Sequence, residues 1–240
     1  TGLQTGFGDE WLSLGGIKLF NERSLGVVDS VPQFEVTYTQ EEMDELIYKI
    51  HSAGLQPWIH TYSANGMDLG LVACERALKR VPCQDPRFRL EHSGERFGDF
   101  GMSNEYLSRF KQAGVVPHCT PQFMHAFPGM TTPYLSYIKK GFILPYNSDC
   151  TGSQPEACNP WHGIWMLVNR KDYFGNVQHP EECLTPLQAL RMATLWGAWG
   201  NFEEKIKGSI EPGKLADLVV LGEDPLTCDP DALQTMPIEL

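Results

Sequence analysis

Four residues with side chains suited to metal chemistry lie in strand-like runs of the sequence. Lys18 lies in GGIKLF, His60 ends LQPWIH, His92 ends RFRLEH and Asp149 ends FILPYNSD. Residues at the carboxyl ends of strands carry the chemistry of (β/α) barrels, and imidazole and carboxylate groups are typical zinc ligands. Together the four residues predict a metal-hydrolase site, although each taken singly is more often an ordinary core or loop residue.

Lys18 has two interpretations that the sequence leaves open. Its apolar surroundings predict burial, and an isolated buried ammonium group is energetically costly. A neutral lysine amine can take up carbon dioxide and, as a carbamate, bridge two metal ions. Alternatively, Lys18 forms a salt bridge at the mouth of a barrel. Another pair of candidate ligands, Cys158 and His162, is interpreted as loop and packing residues.

Strand-like and helix-like segments alternate through most of the chain. One helix carries a capping box at Thr39 and Glu42 and a terminating glycine at Gly54. The repeat of about 25 to 30 residues is typical of a parallel sheet with helical crossovers. We expect at least four helices and five strands, the strands at GIKLF, LQPWIH, RFRLEH, GVVPH and FILPYN. Residues 21–26, NERSLG, are expected to form a loop.

The pattern changes after Asp149. GIWMLVNRK predicts a short helix, and Thr185 with Pro186 predicts the start of a long one, TPLQALRMATLWGAWG. Leu218–Leu221 is apolar and β-branched, so we expect a strand there, in a different sheet from the first five.

Composition limits the class of protein. The chain has 240 residues, of which 42% are hydrophobic and 20% charged, as in globular proteins. A net charge of −11 argues against nucleic acid or an anionic membrane as the main partner. We also expect a small-molecule substrate and leave a homo-oligomer open. No apolar run approaches the length of a membrane span. Seven scattered cysteines without a CxxC pair favour reduced thiols in a cytoplasmic protein.

Several segments, taken together, resemble one known family. They are GGIKLF with the following SLG, the IH that ends on His60, RLEHS, NSD, and GSIEPGKLADLVVLGEDPL. The chain is similar to the amidohydrolase superfamily, in particular to its family-3 branch of N-substituted formamide deformylase-like metal-dependent hydrolases. The resemblance covers nearly the whole chain, and the last segment is its most specific part.

This resemblance implies an α/β fold, namely a partial (β/α)8 TIM-like barrel with strands four to eight. Residues 1–200 would form the barrel and residues 201–240 part of a composite β-sandwich. One or two divalent ions, most suitably Zn²⁺, are implied as cofactors. By position, Lys18 resembles the carbamylated bridging lysine, and His60 and His92 resemble two metal ligands. Asp149 resembles the aspartate that binds metal and acts as general base and acid when metal-activated water cleaves a non-peptide C–N bond.

The sequence also departs from the family pattern. It contains no His-x-His motif, which the family carries on its first strand, so we expect a fragment that lacks strands one to three. Ala64 and Thr120 replace residues that line the substrate pocket in relatives, so the substrate does not follow from the resemblance. Arg170 matches a family arginine without a clear role. Two alternatives stay open: a non-catalytic barrel fragment or scaffold, and an unrelated α/β fold with His60 and His92 in its core.

Overall fold

The computed structural model of the chain divides into two compact units. The first comprises residues 1–97 and 101–118, and the second residues 98–100 and 119–240. The structure describes residues 2–28, 31–93, 96–97, 101–127, 129–150 and 155–239. The domain boundary expected at residue 200 stays a prediction.

The first unit is a mixed α/β structure built around a parallel sheet. Its described strands are β1 (Gly16–Phe20), β2 (Glu22–Val28), β3 (Val31–Val36), β4 (Gln56–His60), β5 (Phe88–Glu91), β6 (Arg96–Phe97) and β7 (Val115–His118). Its described helices are α1 (Gln40–Ser52), α2 (Ala64–Arg80) and α3 (Asn104–Ala113). Strands β1, β4, β5 and β7 pair in parallel in that order, which confirms four of the five predicted strands and the predicted class.

The two faces of this sheet differ in polarity, because successive side chains of a strand point to opposite faces. One face carries buried apolar side chains such as Ile59 and Leu90. Helix α2 packs on this face, with Gly70 close to the Ile59 side chain. The opposite face carries the polar residues of the candidate site described below.

Helices α1 and α2 begin where the sequence provides a cap. The Thr39 side chain accepts a hydrogen bond from the Glu42 amide, and the Glu42 carboxylate accepts one from the Thr39 amide, so the predicted capping box is confirmed. Gly54 follows α1 with φ of 75°, a value that favours glycine. Helix α2 starts at Ser63, whose hydroxyl accepts a hydrogen bond from the Gly66 amide.

The loop predicted for residues 21–26 is wrong, because the chain there enters a β-hairpin. Strand β2 pairs antiparallel with β3, with a register shift between Ser24 and Gly26. An ion pair between Arg23 and Glu35 at 2.7 Å links the two strands. The local sequence of β2 is weakly patterned, and its strand conformation depends on pairing with β3, which a local pattern does not reveal.

The second unit is mainly helical in its described part. Its helices are α4 (Phe123–Ala126), α5 (Tyr134–Lys139), α6 (Pro160–Asn169), α7 (Pro186–Ala193) and α8 (Leu195–Gly200), and its strand is β8 (Met130–Thr131). Short 3-10 turns span Pro155–Cys158, Pro180–Glu182 and Pro230–Thr235. The predicted helix GIWMLVNRK corresponds to α6, and the Thr185 cap of α7 is confirmed. The single long helix expected after Thr185 is divided at Thr194, where φ is −120° and ψ is −91°.

The strand expected at FILPYNSDC is absent from the described structure. Residues 142–150 make one isolated bridge, between Tyr146 and Cys119. Its hydrogen bonds run from the Cys119 amide to the Pro145 carbonyl and from the Asn147 amide to the Cys119 carbonyl. The prediction was wrong because Pro145 has no amide hydrogen and cannot continue a ladder.

The strand expected at Leu218–Leu221 is also not formed. Only Leu221 makes a bridge, to Ile238, and the side chains of Leu218 and Val219 are exposed. An apolar, β-branched run forms a strand only when a second strand pairs with it. Within the described residues, Ile238 is the single bridge partner of residues 218–221. No helix among the described residues is long and apolar enough to cross a membrane.

Candidate metal centre

The register of the parallel sheet aligns four strand-end residues in one row. Phe20 pairs with His60, His60 with Glu91, and Glu91 with His118. Residues paired in register lie on the same face of a sheet. The polar face of the first unit therefore presents two imidazoles and a carboxylate side by side at its carboxyl edge, where barrel enzymes place their chemistry.

His60 is the centre of an aromatic cluster at this edge. Its ring centroid lies 5.1 Å from that of Phe20, 5.3 Å from that of Tyr62 and 5.0 Å from that of His92. Burial, with the nearby charges of His92 and Lys18, lowers the pKa of His60 to about 3. The imidazole is therefore neutral near pH 7, which is the form that binds metal ions.

His92 directly follows β5, and its backbone departs from the extended conformation of the strand. Its φ of 61° lies in the left-handed region, which is unusual for a residue other than glycine and is often found at functional sites. The residue is buried, its amide donates to the His118 carbonyl at 3.0 Å, and its ring stacks on Tyr62 at 4.8 Å. These contacts turn the imidazole toward His60, with the two ring planes at 69°.

Lys18 lies on the same face but is not buried, so the expectation of a buried lysine was wrong. Strand β1 is at the edge of the described sheet, and the Lys18 side chain is exposed. Its Nζ atom lies 5.3 Å from the Phe20 ring centroid. Its charge acts on both His60 and Glu91, which places Lys18 near these two residues.

A buried charge network lies beside the histidine pair. One Glu91 oxygen lies 2.7 Å from Arg89 Nη2, and the other lies 3.0 Å from His118 Nδ1. Burial alone would raise the pKa of Glu91, but His118 and Arg89 together hold it below its usual range. Burial and the Arg89 charge lower the pKa of His118 to about 4. The network is thus a buried Arg89–Glu91 ion pair with His118 beside the second carboxylate oxygen.

Sequence reasoning missed Glu91 and His118 as members of this site. His118 ends a strand-like run, VVPH, in the way that His60 ends QPWIH, so the same signal was present. Glu91 precedes His92 directly, and only the sheet register shows that its side chain faces His118.

A third carboxylate, Glu22, positions the loop that carries Tyr62. It is buried and accepts hydrogen bonds from the Tyr62 amide and, at 3.1 Å, from the Ser63 amide. A carboxylate at a helix N-terminus is favourable because of the orphan amides and the helix dipole. Glu22 therefore connects the start of β2 with the start of α2.

Asp149 belongs to the second unit, so its predicted place beside His60 and His92 stays a prediction. Its side chain is exposed and its φ is 43°. The Asp149 amide donates to Oδ1 of Asn147 at 2.9 Å, and Thr120 Oγ1 donates to the same oxygen at 3.1 Å. The carboxylate thus stands on a tight left-handed turn rather than at the end of a strand.

The residues present fit part of a divalent metal site. His60 and His92 are neighbouring imidazoles with the donor chemistry that Zn²⁺ prefers. Among the residues that the structure describes, no group of three or more His, Cys, Asp or Glu side chains could hold a metal ion. The described residues accordingly offer two imidazole donors, His60 and His92, toward such a site.

Two curated relatives are similar to this chain in sequence. The chain is 26% identical over 211 residues to N-substituted formamide deformylase from Arthrobacter pascens, covering 84% of this chain and 38% of that protein. It is 25% identical over 255 residues to putative amidohydrolase YtcJ from Bacillus subtilis, covering 95% of this chain and 46% of that protein. The chain thus spans less than half the length of these relatives.

The fold is also shared with a solved protein. A metal-dependent hydrolase of uncharacterised function from Pyrococcus horikoshii OT3 superposes with a TM-score of 0.76 at 22% identity, covering 96% of this chain and 48% of that one. The amidohydrolase family itself is matched over residues 1–238. The parallel sheet, the paired histidines at its carboxyl edge and this match show that the chain belongs to the amidohydrolase family.

Proposed function

We propose that the protein carrying this chain is a metal-dependent hydrolase that cleaves a non-peptide C–N bond of an amide-type substrate. The observation that carries the proposal is the pair formed by His60 and His92, with ring centroids 5.0 Å apart. Family membership supports the same reaction class. The name of one relative, N-substituted formamide deformylase, makes small N-substituted amides the first substrates to test.

The residues of the sheet edge would hold the cofactor. His60 and His92 would bind a divalent cation, for which Zn²⁺ is the best match. Lys18 is a further ligand in this proposal, after its amine has taken up carbon dioxide. A bound ion of this kind supplies Lewis acidity and lowers the pKa of a water molecule to about 7. Glu91 and His118 hold the end of β5 in place behind His92.

Asp149 is the proton carrier in this proposal. Its carboxylate takes a proton from the attacking water and later donates that proton to the leaving nitrogen, so that the amine departs uncharged. The exposed side chain and the left-handed backbone support this role, since such conformations cluster at functional sites. Because the chain spans 38% and 46% of two relatives, we propose that further ligands come from sequence outside it.

The test uses the protein encoded by the full reading frame. Bound metal is measured after purification, and formate release from an N-substituted formamide is followed in parallel. We expect bound divalent metal and hydrolysis in the wild type, and loss of both in a His60→Asn, His92→Asn double variant. His179→Asn, which alters a histidine of the second unit, is the control and should keep both.

A wild type without metal above background, or a double variant that keeps all its metal, would contradict the proposal. Bound metal with no hydrolysis across amides, carbamates and ureas would instead favour a non-catalytic scaffold.

A further inference from the structure

Two thiols meet in the second unit directly beside the turn that carries Asp149. Cys150 follows Asp149 in sequence, and Cys158 ends the 3-10 turn Pro155–Cys158. Their Sγ atoms lie 2.6 Å apart, which is closer than two unbonded sulfur atoms normally come and approaches the bond length of about 2.0 Å in a disulfide. Both residues are free thiols in the structure.

The pair is also accessible, which distinguishes it from the buried cysteines of the chain. Cys158 is exposed and Cys150 is half-buried, whereas Cys74 and Cys119 are buried. Reagents from solution can therefore reach a dithiol whose two sulfur atoms are already in contact.

We propose that Cys150 and Cys158 are a reversible oxidation site for low-molecular-weight disulfides such as glutathione disulfide. The Cys150 thiolate attacks one sulfur of the reagent, which forms a mixed disulfide and releases one glutathione thiolate. The Cys158 thiolate then attacks the Cys150 sulfur and releases the second glutathione. Two protein thiols are oxidised, the reagent is reduced to two thiols, and the protons lost by the protein are taken up by the two glutathione thiolates.

The cross-link would act on Asp149 through the backbone. Asp149 has a φ of 43°, and its turn is held by the hydrogen bond from its amide to Asn147 Oδ1 at 2.9 Å. A covalent tether at the following residue restricts this turn. The proposed result, a loss of hydrolysis on oxidation, rests on the function proposed above, whereas formation of the disulfide does not.

Peptide mapping tests the site itself. The full-length protein is reduced, incubated with glutathione disulfide, blocked with an alkylating reagent and digested with trypsin. Both cysteines then lie in the peptide Gly141–Arg170, since no Lys or Arg lies between them. Digestion with Glu-C after Glu156 separates the two cysteines only when they are not linked. We expect a linked pair of peptides that dithiothreitol separates.

Two variants make this mapping decisive. Cys158→Ser should leave Cys150 as a glutathione mixed disulfide, and Cys83→Ser, which removes an exposed cysteine elsewhere, should leave the link unchanged. Two freely alkylated thiols after oxidation, or a link from Cys150 to another cysteine, would overturn the proposal.

Activity then separates this proposal from the proposed function. We expect oxidation of the wild type to reduce hydrolysis at least tenfold and dithiothreitol to restore it fully. Cys83→Ser should lose and regain hydrolysis to the same extent as the wild type. A mapped disulfide with unchanged hydrolysis would overturn the effect on Asp149. Absence of hydrolysis in both redox states would count against the proposed function alone, because peptide mapping detects the disulfide independently of activity.

Discussion

Glu91 and His118 join the carboxyl ends of β5 and β7, with 3.0 Å between Oε2 of Glu91 and Nδ1 of His118. The other Glu91 oxygen pairs with Arg89, and all three side chains are buried. Glu91→Ala would leave the Arg89 guanidinium buried without its carboxylate. We expect the free energy of unfolding, measured by urea denaturation, to fall by about 3–5 kcal/mol.

The matched control for this variant is an exposed ion pair in the same unit. Arg23 and Glu35 pair at 2.7 Å with most of both side chains in solvent. Glu35→Ala should cost under about 1 kcal/mol. Equal losses in the two variants would show that burial of the Glu91 network has no energetic consequence.

Gly66 of α2 lies against the Glu22 carboxylate that holds the start of this helix. A Cβ at position 66 would overlap the Glu22 carboxylate carbon at 2.6 Å. Gly66→Ala should therefore displace Glu22 from the Tyr62 and Ser63 amides and lower the free energy of unfolding by about 1–3 kcal/mol. Thermal or urea denaturation measures this loss.

Gly70 provides the control within the same helix. A Cβ at position 70 would meet Ile59 at 3.4 Å and Asn21 at 3.6 Å, which are ordinary contacts. Because alanine is favoured over glycine inside helices by about 1 kcal/mol, Gly70→Ala should be neutral or stabilising. Equal destabilisation of both variants would contradict the close approach of Glu22 to Gly66.

Asp149 should affect turnover more than metal binding if it carries the proton. Asp149→Asn keeps the shape of the side chain but removes its basicity, so we expect kcat to fall by about 10²- to 10⁴-fold. The Asn147 and Thr120 contacts to the turn should persist, because they use the backbone and the Asn147 side chain. Steady-state kinetics and bound-metal analysis measure both quantities.

Asp217→Asn serves as the comparison, since Asp217 is an exposed carboxylate elsewhere in the second unit. It should leave kcat within about twofold of the wild type, because this exposed carboxylate has no part in the proposed proton transfer. If Asp149→Asn retained wild-type turnover, the assignment of the proton carrier would be wrong.

His162 should make the stability of the second unit depend on pH. Burial and the nearby His125 lower the pKa of His162 from 6.5 to about 4. The unfolded chain then binds more protons than the folded chain between these values, so stability falls as the pH drops from 6.5 toward 4. The loss is up to about 1.4 kcal/mol per pH unit, measured by urea unfolding near neutral pH and at about pH 5.

His162→Gln should make this part of the pH profile less steep, since glutamine does not titrate and can still contact Gln234, which lies 3.0 Å from His162 Nδ1. The remaining slope comes from other buried histidines such as His118. His179→Asn, at a more exposed histidine, should keep the wild-type slope. A His162→Gln profile as steep as the wild type would place the responsible group elsewhere.

The sequence was informative where a signal is local. The capping box at Thr39 and the strand that ends at His60 follow from short patterns. A strand was likewise predicted within RFRLEH, where β5 spans Phe88–Glu91. His60 and His92 accordingly lie at the carboxyl ends of β4 and β5, while their role as metal ligands stays a prediction.

Two of the failures described below have one physical cause, which is dependence on partners distant in sequence, and a third has a local cause. FILPYNSDC has the composition of a strand, but Pro145 cannot donate to a neighbour and a single bridge remains. The link between Glu91 and His118 requires the register of β5 against β7, and the exposed position of Lys18 follows from the place of β1 in the sheet order. Neither the register nor the sheet order is encoded in a local pattern, whereas Pro145 is a local signal against a strand.

The left-handed backbone of His92 limits how this protein could be re-engineered. Asparagine or glycine would adopt the φ of 61° with less strain, but both lack the imidazole. Bulkier or β-branched residues would neither tolerate this φ nor supply an imidazole. Mutant libraries aimed at new substrates should therefore keep position 92 constant. Diversity is better introduced at Phe20 and Tyr62, which border His60 without such a conformational demand.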